Sequence, residues 1–71
     1  MAQLVAGRVV RALVRLGWTL ERQSGSPAIL TKIGRAPVTI PIHKGRTLQE
    51  GTARAILKQV GVSEDELFSV Y

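Results

Sequence analysis

The chain has 71 residues, no cysteine, one histidine and a formal charge of +5. So short a chain hides only roughly 60% of its unfolded surface, which allows one domain spanning residues 1–71 with a single modest core. Disulfide frameworks and thiolate metal sites are excluded, and no apolar run approaches the roughly 18 residues of a membrane span, so the expectation is a soluble cytoplasmic protein without a signal peptide. All ten Lys and Arg lie at or before Lys58, opposed there only by Glu21 and Glu50, while the last thirteen residues hold Glu64, Asp65 and Glu66 and no base. A body of this kind attracts polyanions, though an excess of bases also serves solubility alone. Seven of the ten bases are Arg, whose planar fork suits phosphate and carboxylate.

In chain order, Val9, Val10, Leu13 and Leu16 keep a helical spacing between Gly7 and Leu16. Arg8, Arg11 and Arg15 follow at i, i+3 and i+7 on another face, either as a phosphate track or as the solvated side of the helix. Gly17 is placed to end this helix, and Ala6 is a poor cap for its start. Trp18 to Gln23 alternates as a half-buried strand, with Trp18 and Leu20 inward. Ser24-Gly25-Ser26 forms a turn, Ala28 to Ile33 a second strand, Gly34-Arg35 a turn and Pro37 to Ile42 a third strand. Pro41 cannot donate to a ladder, so it belongs at an edge or where the strand leaves the sheet.

Thr47-Leu48-Gln49-Glu50 fits a capping box and predicts a helix start there, with Gly51-Thr52 marking a second possible start. Thr52, Ile56 and Val60, flanked by Ala53 and Leu57, form the inner face of that helix, and Gly61 ends it. Ser63-Glu64-Asp65-Glu66 repeats the box before Leu67, Phe68 and Val70, which predicts a short third helix. The result is an α+β domain of order α-β-β-β-α plus a short C-terminal helix. Its three-stranded antiparallel sheet carries helices on one face and leaves Thr19, Glu21, Thr39 and Pro41 on the other. Double-stranded RNA-binding domains share this order.

Several short patterns then line up: Gly7-Arg8, Leu13, Gly17-Trp18, Arg22, Gly25-Ser26, Pro41-x-His43, Gly45, Leu48, Gly51-Thr52, Ile56-Leu57 and Gly61. In this order they resemble the HicA family of bacterial mRNA interferase toxins over nearly the whole chain. The resemblance implies a fold like that of the double-stranded RNA-binding domain, RNA cleavage that blocks translation, and neutralisation by a HicB antitoxin. It also implies a catalytic histidine directly after the Gly-Ser of the first hairpin, where this chain has Pro27.

Proline has no proton to give, so a positioned group worth roughly 10² to 10⁴ in rate is missing. His43 is the one conventional acid-base candidate. Pairing about the Gly34-Arg35 turn would set residues 26 and 27 near 42 and 43, but a one-residue slip would swap the face His43 points to. It either takes part in catalysis or ends a strand and positions RNA. Lys44 and Arg46 flank it near the start of the second long helix, as an anion site or an ordinary solvated turn. With Arg22, Ser26, Arg8, Arg11 and Arg15 they form the expected RNA-binding set. The expected partners are RNA and a HicB-like antitoxin, with no metal, cofactor or membrane. A non-catalytic RNA-binding or antitoxin-binding module on the same fold is the alternative. A lone histidine, scattered carboxylates and a Gly45 to Gly51 segment without the Gly-Lys-Ser/Thr ending leave no metal cluster or nucleotide loop.

Overall fold

The computed structural model describes residues 3–21, 26–42 and 47–71. Helix α1 spans Ala6–Arg15, β1 Thr19–Leu20, β2 Ala28–Lys32, β3 Arg35–Ile40, α2 Glu50–Val60 and α3 Glu64–Val70. The strands form an antiparallel meander in the order β1-β2-β3. This is the α+β arrangement of a double-stranded RNA-binding domain, with a short helix added at the end.

Alternation decides which side of the sheet is covered. Ala28, Leu30, Val38 and Ile40 point inward and are buried, whereas Thr19 and Thr39 are exposed on the opposite side. Helix α2 packs against β3 and α1 against β1, while α3 docks on α1. Leu4, Val9, Leu13, Leu30, Val38, Ile40 and Leu67 are the largest fully buried side chains, and with Ala53, Ile56, Leu57 and Val60 of α2 they join both long helices, the sheet and α3 in one core. Trp18 is also in this core, 2% exposed.

Several boundaries differ from the sequence reading. Of the Trp18–Gln23 alternation, β1 takes Thr19–Leu20, Glu21 donates its N–H to the Ile29 carbonyl at 2.8 Å, and Arg22 and Gln23, like the Ser24-Gly25 part of the expected turn, lie outside the described residues. The β2–β3 turn falls on Ile33-Gly34, with Gly34 at φ 82, and Arg35 already belongs to β3 because a register irregularity between Leu30 and Lys32 brings Lys32 opposite Arg35. Strand β3 ends at Ile40, so Pro41 lies just outside the ladder that it cannot join.

The Thr47–Glu50 capping box does not form. Thr47 is drawn into an antiparallel bridge with Val5, and Leu48 N–H donates to the Leu4 carbonyl at 2.7 Å. The helix therefore begins at Glu50, with Gln49 in the cap position and no side chain capping it. The second box does form: Ser63 Oγ accepts from Glu66 N–H at 3.1 Å and Glu66 Oε1 from Ser63 N–H at 3.2 Å.

Candidate nucleic-acid interface

Register builds the first part of the site. Ala28 pairs with Ile40 at the last step of the ladder. The Ser26 hydroxyl accepts the Ile42 N–H at 3.0 Å and carries the pairing beyond the last ladder residue. The Ser26–Pro27 peptide bond is cis and Pro27 is half-buried. Ser26 at the entry to β2 and the exit of β3 thus meet at one end of the sheet. Arg22, His43, Lys44 and Arg46 lie outside the described residues, and His43 follows Ile42 directly in the chain.

The start of α2 converges on the same end. Pro41 lines a depression together with Thr47, Leu48, Gln49 and Thr52, and an adjoining one is formed by Gln3, Leu4, Thr47, Leu48, Gln49, Glu50 and Ala53. The N-cap residue of α2, Gln49, makes no side-chain cap hydrogen bond, and the positive end of the helix dipole lies in this region. The Glu50 carboxylate stands in that first turn, and Arg54 pairs with it at 3.3 Å, one helical turn on.

The arginine stripe on α1 forms a second part. Arg8, Arg11 and Arg15 are all exposed. Arg15 Nη1 donates to the Val70 main-chain oxygen at 2.6 Å and Arg8 Nη2 to that of Tyr71 at 2.9 Å. The Arg8 guanidinium also lies 4.2 Å from the centre of the Tyr71 ring. Arg11 has no partner among the described residues.

Charge is distributed unevenly over the rest of the surface. The uncovered sheet face carries Thr19, Glu21, Ile29, Thr31 and Thr39, with the Thr31 hydroxyl donating to Glu21 Oε2 at 2.7 Å. That face offers neither a base nor an aromatic ring among these residues, so it lacks the stacking platform and the cations of a sheet that reads single-stranded RNA. Lys32 and Arg35 turn to the helix side, where Lys32 Nζ reaches the Leu16 carbonyl at 3.0 Å and Arg35 Nη2 the Gln59 carbonyl at 2.8 Å.

Sequence reading missed Tyr71, Lys32 and Arg35 as organisers of the cationic surface, because helix-end contacts across 16 to 63 residues leave no local pattern. No group of three or more His, Cys, Asp or Glu that could hold a metal occurs among the described residues. Nor is any described helix long and apolar enough to cross a membrane.

A basic helix, a three-stranded antiparallel meander and a second helix whose start lies beside the exit of the third strand define a small α+β domain with the fold of double-stranded RNA-binding domains. Its sequence agrees with the toxin half of a two-component system. A family model described as the HicA toxin of bacterial toxin-antitoxin matches residues 6–62, from the start of α1 to just past α2, and the chain belongs to that family. Helix α3 falls outside the matched span. A search of the curated proteins finds no match.

Proposed function

We propose that this chain acts on RNA at the sheet end where Ser26-Pro27 meets Pro41-Ile42, and that cleavage there is weak or lost. The Ser26–Ile42 hydrogen bond supports this reading above all, since it ties the residue just before Pro27, where the family resemblance expects an imidazole, to the strand end preceding His43. The positive end of the α2 dipole lies beside it.

Metal-free RNA cleavage has the 2′-hydroxyl oxygen attack the adjacent phosphorus, losing its proton to a base, while the 5′-oxygen leaves with a proton from an acid. Each positioned proton carrier contributes roughly 10² to 10⁴ in rate. Pro27 supplies neither, which favours a second reading in which the chain binds RNA or an antitoxin without cutting. In our assignment His43 is the remaining acid-base group, Arg22, Lys44 and Arg46 hold phosphate, and a HicB-like antitoxin in the cytoplasm is the protein partner.

Replacing proline by the missing imidazole tests the assignment. With RNA and no added metal, Pro27→His is expected to raise cleavage by about 10²-fold or more and to arrest growth on expression. Residual cleavage by the unaltered chain should disappear in His43→Ala. If Pro27→His cuts no faster than the unaltered chain, position 27 is not the vacated catalytic position. Cleavage that persists in His43→Ala overturns the role given to His43.

A further inference from the structure

Helix α3 ends against the arginine stripe of α1 in an arrangement that does more than close the fold. The main-chain oxygens of Val70 and Tyr71 each take one guanidinium N–H, from Arg15 and Arg8, and the Tyr71 ring supports the Arg8 plane at 4.2 Å. Tyr71 is itself held in place. Its hydroxyl oxygen accepts the Val5 N–H at 2.7 Å, and its ring meets Phe68 edge to face at 5.5 Å.

Each guanidinium has five N–H donors in a rigid fork, so one bond to a carbonyl leaves several free. The Val70 carbonyl bears no net charge and leaves the Arg15 cation unneutralised. Arg8 and Arg15 remain exposed, seven residues apart, which sets them about 10 Å apart along the helix with Arg11 between. Mobile arginines lose side-chain entropy when they grip a ligand, whereas arginines already held in place lose less.

We infer that Tyr71 is a positioning residue: it holds Arg8 in a geometry that, with Arg11 and Arg15, receives the backbone phosphates of RNA along α1. The inference rests on the RNA-directed reading above and adds a strip of contacts away from the proposed cleavage centre. Phosphate suits the stripe because it is three exposed forks on one straight helix edge, each able to grip two oxygens.

The test is a double-mutant cycle on the full chain with a short oligouridylate as probe, read as affinity against salt concentration. Arg8→Ala is expected to lower the magnitude of the salt slope by about 0.7, one phosphate contact. Tyr71→Leu keeps an apolar side chain but removes the ring face, and should weaken binding about two- to fivefold with the slope unchanged. In the Arg8→Ala background Tyr71→Leu should cost almost nothing, because the residue it positions is gone.

Tyr71→Phe, which restores the ring without the hydroxyl, should recover the affinity lost in Tyr71→Leu. Fluorescence of the single tryptophan, Trp18, checks that each variant is folded. A loss that is equal in both backgrounds makes Tyr71 merely structural and overturns the inference while leaving RNA binding intact. An unchanged slope in Arg8→Ala overturns the phosphate role of the stripe and leaves it for a protein partner. Salt-insensitive or absent binding by the unaltered chain removes both the inference and the RNA-directed reading.

Discussion

Lys32 Nζ lies 3.0 Å from the Leu16 carbonyl at the end of α1, Arg35 Nη2 2.8 Å from that of Gln59 at the end of α2, and Arg15 Nη1 2.6 Å from that of Val70 in α3. Each cation comes from a different element than the helix it closes, and each satisfies a carbonyl that the helix leaves open while complementing its negative pole. Together with Arg8 on Tyr71, they commit four of the ten bases to the fold. These bonds fix where the guanidinium and ammonium groups stand and leave their remaining donors free. Gly61 shows the constraint most sharply. It is left-handed at φ 69, and a Cβ there would stand 2.9 Å from Arg35 Nη2. Gly61→Ala should cost about 1 to 2 kcal/mol in denaturant unfolding, from the left-handed backbone and the displaced guanidinium together. In an Arg35→Ala background only the backbone part, about 1 kcal/mol, should remain.

At the scale of elements, two capping boxes of the same sequence type have opposite fates. Ser63 to Glu66 closes reciprocally because nothing competes for its backbone. Thr47 is claimed instead by the bridge to Val5, and the Leu48 N–H by Leu4, so pairing from 42 residues away overrides the local preference at α2. Helix α3 has only seven residues, too short to persist without its cap and its docking on α1. Ser63→Ala is accordingly expected to destabilise the protein by about 1 kcal/mol, with the midpoint lowered by about 4 to 8 °C, whereas Thr47→Ala should leave it within about 0.5 kcal/mol. A comparable loss from both substitutions in thermal melts would mean that the helix starts have been misassigned.

For the whole molecule, the margin is small. A domain of this size is stable by about 4 to 10 kcal/mol, and α1, the sheet, α2 and α3 share one core among the described residues. Leu13 is fully buried where α1 faces that core. Leu13→Ala should cost about 2 to 5 kcal/mol and lower the unfolding midpoint by at least about 8 °C. A shift of only a degree or two would show that the α1 face is packed less tightly than its burial indicates.

The sequence by itself determined the element order, the inward faces of α1, β2, β3 and α2, the ends of the long helices at Gly17 and Gly61, and the family pattern. Each of these is written in periods of two or 3.6 residues or in single glycines, signals that survive without knowledge of the rest of the chain. Only tertiary structure decided the register that ties Ser26 to Ile42, because a slip of one residue leaves composition unchanged while reversing every face. It alone decided which cations hold carbonyls and which stay exposed, since a long flexible base reaches whatever acceptor the packed elements bring within a few ångströms. For Arg8 that acceptor is 63 residues away in the chain, a separation no local pattern encodes.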